Sequence, residues 1–231
     1  MRGRSVLSAL RTYVDLSSPA AAVESWHKLR LLRQVGPYTV VSRSKLNLLW
    51  NLARELDRRA IPGAVVECGV FRGGSAAVLG RASSAARLLY LFDSFQGLPK
   101  PGDKDGAQAA AGFHEGWCQG DADEVRALLV RLGVSDERIR IVSGWFADTL
   151  PGAGTGTIAL LHIDADWYDP VRFCLNTLYD RVSPGGYVVL DDYGRWEGCT
   201  RAADEFLAGR GLMSLLPNSG PLPHYFRKPG D

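Results

Sequence analysis

The sequence predicts an α/β fold, a mostly parallel sheet with helices on both faces. Three observations carry this reading. Short apolar runs alternate with helix-patterned segments from residue 64 onward. The first run, Ala64-Val65-Val66, passes through a glycine-rich turn into a helix-like stretch, Ala76-Ala77-Val78-Leu79. Acids close the runs, at Asp93, at Asp164 and at Asp191-Asp192. A parallel strand buried on both faces reads as continuously apolar because neither side meets water.

The elements follow in order. The chain of 231 residues has room for one α/β domain with an N-terminal extension. Residues 1–35 are expected to form a helical extension, with apolar Val14, Leu16, Val23, Trp26, Leu29 and Leu32 among polar neighbours and Pro19 interrupting it. It carries no chemistry of its own and is expected to serve as a lid or as a contact in a homo-oligomer. Gly36-Pro37 ends it, and Tyr38-Thr39-Val40-Val41 is short and extended. Residues 36–231 then form the main domain. Ser42 caps a helix over 45–59, whose apolar face is Leu46, Leu48, Leu49, Leu52, Ala53 and Leu56. Pro62-Gly63 punctuates before the sheet. Strands are expected at 64–68, 87–92, 139–143, 157–163 and 186–190, with a helix over 124–132 and a turn at Gly185-Gly186. The segment 97–120 is rich in Gly, Ala and Asp, too long for a plain connector, and reads as a functional loop or lid. The tail from Ser214 contains Pro217, Pro221 and Pro223 and is expected to end in a strand or hairpin through Tyr225-Phe226.

Composition narrows the function. Hydrophobic residues at 46% and charged residues at 23% are ordinary for a globular protein. A net charge of +2 gives no reason to invoke nucleic acid, and the only basic excess is mild, at Arg2, Arg4 and Arg11. No apolar run has the length of a signal peptide core or a membrane span, so a cytoplasmic protein is expected. Cys68, Cys118, Cys174 and Cys199 lack a C-x-x-C spacing and are expected to be free thiols rather than zinc ligands.

The chemistry concentrates at strand ends. In an open α/β sheet, ligands bind outside the carboxyl ends of the strands. Asp164 ends the run 158–163, Asp166 follows it, and Asp191-Asp192 end the run 187–190. Carboxylates crowded there repel one another unless a cation lies between them. An all-oxygen set selects a hard ion such as Mg²⁺. The competing role for these acids is helix capping. The turn Glu67-Cys68-Gly69-Val70-Phe71-Arg72-Gly73-Gly74-Ser75 has the spacing E-x-G-x-x-x-G-G-S, not the G-x-G-x-x-G of dinucleotide binders. Its helix N-terminus and the Ser75 hydroxyl suit a carboxylate anion. Asp93, at the end of the second strand, is placed to accept from ribose hydroxyls. A nucleoside with a carboxylate tail fits both, and S-adenosylmethionine is such a molecule.

Five segments resemble, in order, the motifs of the macrocin and mycinamicin sugar O-methyltransferases. They are 66–75, Leu91-Phe92-Asp93-Ser94-Phe95-Gln96-Gly97-Leu98-Pro99, Gly144-Trp145-Phe146-Ala147-Asp148-Thr149-Leu150-Pro151, His162-Ile163-Asp164-Ala165-Asp166-Trp167-Tyr168, and Gly185-Gly186 through Asp191-Asp192-Tyr193-Gly194. The resemblance covers roughly residues 36–228. It implies a Rossmann-like class I methyltransferase with about seven strands, dependent on S-adenosylmethionine and Mg²⁺ and active in antibiotic tailoring. It implies that Asp164, Asp191 and Asp192 hold the metal and that Asp166 is the general base. Glu67, Gly69, Ser75, Asp93, Ser94 and Thr39 would contact the methionyl and ribose ends of the cofactor, and Gly144, Trp145 and Phe146 the adenine. Asp164 would also border the cofactor. The layout is similar to catechol O-methyltransferase as well, but that enzyme has a lysine base where this chain has Trp167.

Methyl transfer from a sulfonium to oxygen requires a positioned, deprotonated acceptor. The acceptor is expected to be a glycoside or other polyhydroxylated small molecule. A catechol or phenol acceptor satisfies the same geometry, and a non-catalytic domain binding S-adenosylmethionine or a nucleotide on the same fold is the third reading. Such a binding module has no need of four acids at the strand ends. Among the remaining polar residues, His162 inside its apolar strand reads as a satisfied core histidine, and His27 as a helix-surface residue. His114 and His224 stay undecided between pocket and solvent or tail. Trp145, Trp167 and Trp196 read first as packing residues, and Cys199 as a small buried residue at a helix start.

Overall fold

The computed structural model describes residues 14–213 and 224–230. Residues 1–13, with Arg2, Arg4 and Arg11, and the tail residues 214–223, with Pro217, Pro221 and Pro223, lie outside the described part.

Helix α1, Pro19–Gln34, begins where the sequence reading expected an interruption. Ser18 caps it by accepting from the Ala21 amide, and Pro19 occupies the first turn, where a missing N–H removes no helix bond. The face it buries is Ser25, Lys28, Leu31 and Leu32, whereas Leu16, Val23 and Trp26 stand exposed. Arg30 covers part of the Trp26 ring, 5.7 Å from its centroid. The expected extended step at 38–41 is instead a 3₁₀ turn, Gly36–Tyr38, followed by extended Thr39. Helix α2, Arg43–Arg58, follows the Ser42 cap, and its apolar stripe of Leu46, Leu49, Leu52, Ala53 and Leu56 is buried.

The remaining elements alternate. They are β1 (Ala64–Cys68), α3 (Gly74–Ala82), β2 (Leu89–Asp93), α4 (Gly106–Gly112), α5 (Ala122–Arg131), β3 (Ile139–Ser143), α6 (Phe146–Thr149), β4 (Ile158–Ile163), α7 (Tyr168–Leu178), β5 (Val182–Leu190), α8 (Glu197–Gly209) and β6 (His224–Arg227). Six strands form one sheet in the order β3-β2-β1-β4-β5-β6. The first five run parallel, and β6 pairs antiparallel with β5 through Val188 opposite Phe226. The sheet described is therefore one strand short of the expected seven. The expected terminal strand through Tyr225 and Phe226 is present as β6.

Helices cover both faces, and the two-residue period of a strand decides which residue meets which layer. Val65, Leu91, Leu160 and Val189 pack with the buried faces of α1, α2, α3 and α5. Val66, Phe92, Leu161 and Val188 pack with α7 and α8. Strand β5 starts at Val182, earlier than expected, because Gly185 and Gly186 do not end it: Gly185 donates to the Lys228 carbonyl and Lys228 donates to that of Gly186. No helix among the described residues is long and apolar enough to cross a membrane. Cys68, Cys118, Cys174 and Cys199 are free thiols.

Candidate active site at the strand switch point

Strand β1 lies between β2 and β4, so the strand order reverses at its carboxyl end and opens a crevice there. The parallel register puts Glu67 opposite His162, Cys68 opposite Ile163, and Ile163 opposite Leu190. The ladder runs one step past the strands: Asp164 N–H donates to the Cys68 carbonyl and Asp191 N–H to that of Ile163. The first residue beyond β4 and the first beyond β5 are thereby neighbours. This register brings Asp164, Asp191 and Asp192 to one edge.

Gly69 makes the approach fit. Its φ is +91°, and a Cβ there would overlap the Asp164 carbonyl. Asp93 fixes the turn that follows. One of its carboxylate oxygens accepts from the Val70 and Phe71 amides at 2.7 and 2.9 Å, and the other accepts from Phe95 at 2.7 Å. Asp93 thus stitches the end of β2 to the glycine turn as well as bordering the crevice.

The cleft has a volume of about 990 Å³ including its mouth. Gly69, Asp93, Ser94, Gly144, Trp145, Phe146, Asp164, Asp166, Asp191 and Asp192 all line it. Trp145 is 39% exposed, unlike the packing residue expected. Glu67, Ser75 and Thr39 are not on its wall. Glu67 and Ser75 are buried, and Thr39 packs where a Cβ on Gly74 would be. The wall residue of that segment is Val40.

Two overlapping groups of ligand atoms lie within 4.8 Å of one another: His162, Asp164 and Asp191, and Asp164, Asp166 and Asp192. Asp164 belongs to both, while Asp191 and Asp192 fall in different groups. Desolvation, followed by the neighbouring carboxylates, pushes the Asp164 pKa well above the usual range. Asp166 is raised well above it too, by burial and then by Asp192, with the Trp196 indole and Arg195 working the other way. Asp192 is raised to about 6 by burial and by Asp191. Asp191 is the exception. Burial opposes its ionisation, but His162 and then Lys45 outweigh it and hold its pKa below the ordinary value. Asp166 also adopts φ +53°, a left-handed backbone that non-glycine residues rarely take.

His162 sits in the buried middle of this network. Its Nδ1 is 2.9 Å from Glu67 Oε1, and its Nε2 is 3.6 Å from Asp191 Oδ1, an ionic contact rather than a hydrogen bond. Burial disfavours its charge, yet the two carboxylates raise its pKa to about 9. Lys45 Nζ donates to Asp191 Oδ2 at 2.7 Å and to the Asp191 carbonyl at 2.6 Å. Asp191 Oδ1, Asp192 Oδ2 and Glu67 Oε2 are buried without a hydrogen-bond partner. Unpartnered carboxylate oxygens of Asp191 and Asp192, beside crowded acids, fit a divalent cation as the missing partner.

The segment 97–120 forms the outer wall with Trp117 and Cys118. It is anchored. Trp167 Nε1 donates to the Pro99 carbonyl at 2.9 Å, and the buried Asp105 accepts from the Tyr168 and Gly102 amides at 2.6 and 2.7 Å. Trp117, Trp167 and Trp196 meet edge to face, with centroids 5.1 to 6.2 Å apart. Lys45, Asp105, Trp117 and Arg195 were missed as site residues by the sequence reading. For Lys45 no sequence signal existed, since its partner is 146 residues away. Asp105 had only a weak one, as a single acid in a loop rich in them. His114 is exposed and stacks on Trp117, His224 lies against Tyr193, and neither borders the cleft.

The chain is similar to known proteins in sequence and in fold. The family profile described as Macrocin-O-methyltransferase (TylF) matches residues 28–228. An 8-demethyl-8-(2,3-dimethoxy-alpha-L-rhamnosyl)-tetracenomycin-C 4'-O-methyltransferase from Streptomyces olivaceus is 36% identical over 186 residues, 78% of this chain and 71% of that protein. The mycinamicin III 3''-O-methyltransferase of Micromonospora griseorubida is 32% identical over 192 residues, 78% of this chain and 74% of its own. Among solved structures, the O-methyltransferase NovP superposes with a TM-score of 0.76 at 31% identity, covering 84% of this chain and 83% of that one.

Proposed function

Because the chain belongs to the macrocin O-methyltransferase family, we propose that it transfers the methyl group of S-adenosylmethionine to a hydroxyl of a glycosylated small molecule in natural-product tailoring. The chain is an S-adenosylmethionine-dependent O-methyltransferase. Its acceptor, its ion and the roles of its residues are the proposal. The observation that carries them is the group of carboxylates lining the cleft, Asp164 and Asp166 half-buried and Asp191 and Asp192 buried, with oxygens on Asp191 and Asp192 that accept no hydrogen bond.

In this reading Asp164, Asp191 and Asp192 hold Mg²⁺, which when bound lowers the pKa of a coordinated acceptor hydroxyl and fixes its direction. Gly69, Asp93, Ser94, Gly144, Trp145, Phe146 and Asp164 bind the donor along the cleft, while Glu67, Ser75 and Thr39 support its methionyl end from behind. The acceptor oxygen forms a bond to the methyl carbon as the carbon–sulfur bond breaks, and the electron pair stays on sulfur. The acceptor proton passes to Asp166, whose burial among acids gives its carboxylate a raised proton affinity. The segment 97–120 excludes water from the acceptor, residues 1–35 serve as a lid or as a contact in a homo-oligomer, and residues 36–231 form the catalytic domain. The same reading takes the sheet as a Rossmann-like class I methyltransferase arrangement, with six strands among the described residues.

A catechol acceptor is disfavoured by Trp167. The side chain standing where catechol enzymes carry a lysine base is an indole, buried at 1% exposure and hydrogen-bonded to Pro99. The test is a screen of glycosides against catechols, scored by mass gain of one methyl group, with and without chelator. Methylated glycosides and loss of turnover in chelator are expected. Methylation of catechols alone would overturn the sugar reading, and full turnover in excess chelator would remove the ion.

A further inference from the structure

Lys45 lies in the first turn of α2, and its side chain is only 13% exposed. It makes two hydrogen bonds to one residue, to Asp191 Oδ2 at 2.7 Å and to the Asp191 carbonyl at 2.6 Å. The paired contacts hold the carboxylate in one rotation. Oδ2 is spent on the ammonium, and Oδ1 is left buried without a hydrogen bond, in ionic contact with His162 Nε2 at 3.6 Å. Asp191 therefore has one oxygen to give a metal ion.

One oxygen or two matters to the ion. Mg²⁺ requires near-ideal octahedral geometry at about 2.0–2.1 Å, and a carboxylate gripping it with both oxygens distorts that geometry. Ca²⁺ takes about 6–8 oxygens at 2.3–2.6 Å and accepts carboxylates in either mode. We infer that Lys45 is a positioning residue that restricts Asp191 to single-oxygen ligation and so sets the preference of the site for Mg²⁺ over Ca²⁺. The inference rests on Asp191 being a ligand, as proposed above.

A second role for Lys45, simple charge compensation, is separable. Loss of one positive charge strengthens binding of any divalent cation, but it does so alike for Mg²⁺ and Ca²⁺. The ratio of the two affinities removes the charge effect and reports the geometry.

The experiment is calorimetric titration of chelator-treated full-length protein with Mg²⁺ and, separately, Ca²⁺, in the wild type and in Lys45→Met. The Met side chain keeps the length and frees Oδ2. The wild type is expected to prefer Mg²⁺, and Lys45→Met to shift the affinity ratio about tenfold or more toward Ca²⁺. Lys45→Arg, which keeps donors and charge, is expected to retain the wild-type preference. If Lys45→Met does not fold, Lys45→Gln releases the same oxygen through its shorter reach and is expected to give the same shift. An unchanged ratio, or a shift toward Mg²⁺, would overturn the inference and leave the metal reading intact. A wild type that binds neither ion overturns both.

Discussion

His162 is a buried histidine with a carboxylate on each side. It was read from the sequence as a satisfied core residue, and it does hydrogen-bond Glu67, but it also faces Asp191 across 3.6 Å. Removing the imidazole strands two buried acids. His162→Leu is expected to cost about 3–5 kcal/mol, the scale of a broken buried ion pair, measured by urea unfolding at neutral pH. The pH dependence has a definite sign. The folded pKa of about 9 lies above the usual 6.5, so the stabilisation is fully present below pH 6.5 and is lost as pH rises through 9. The gap between wild type and His162→Leu should close over that window, and a gap that widens there would contradict the charged imidazole. Asp166 makes a different demand. Asp166→Asn keeps the shape and removes the proton acceptor, so turnover should fall about 10²–10⁴-fold. Ion and donor binding, followed by calorimetry, should persist. Near wild-type turnover would move the base role to another group.

Among the elements, β1 and its turn depend most on a single side chain's absence. Gly69 has φ +91°, and any Cβ would strike the Asp164 carbonyl. Gly69→Ala is therefore expected to force β1 and β4 apart at the crevice. The conformational strain alone is about 1–3 kcal/mol, and a fall in melting temperature with loss of donor binding is the expected result; a variant that binds donor normally would show that the turn yields more than the geometry allows. How much of these elements was legible follows from where each is decided. β1 and β3 have the bounds expected, because a short stretch rich in Val and Ile between turn residues is a local signal even with Glu67 or Arg140 inside it. The start of β5 was misread, because Gly185-Gly186 looks like punctuation until Lys228 pairs with it from the far end of the chain. Pro19 was misread for the opposite reason, as a breaker where it begins a helix. The acids at 164, 166, 191 and 192 were legible because strand ends announce themselves. Lys45 and Asp105 were not, because only the folded chain brings them to their partners.

At the scale of the whole molecule, a net charge of +2 conceals a cleft dominated by acids. Asp93, Asp164, Asp166, Asp191 and Asp192 line it, against Arg195 on its wall and Lys45 and His162 behind Asp191. That imbalance sets how the folded state handles protons. Asp192 titrates near 6, and Asp164 and Asp166 well above the usual carboxylate value of 3.8, each chiefly through burial. A carboxyl whose folded pKa is raised binds more protons folded than unfolded between the two values. The ion-free protein therefore loses stability as pH rises through that interval. A divalent cation binds the ionised carboxylates, so its stabilising effect must grow over the same interval, and its binding must release protons. The check is the melting temperature with excess Mg²⁺ minus that in chelator, followed from about pH 5 to about pH 7.5. The difference should rise with pH. Calorimetry near pH 6, in buffers of different ionisation heat, should register protons leaving as the ion binds. A difference independent of pH, with no proton release, would mean that the acids at this edge are already ionised in the ion-free protein and that burial does not hold their protons.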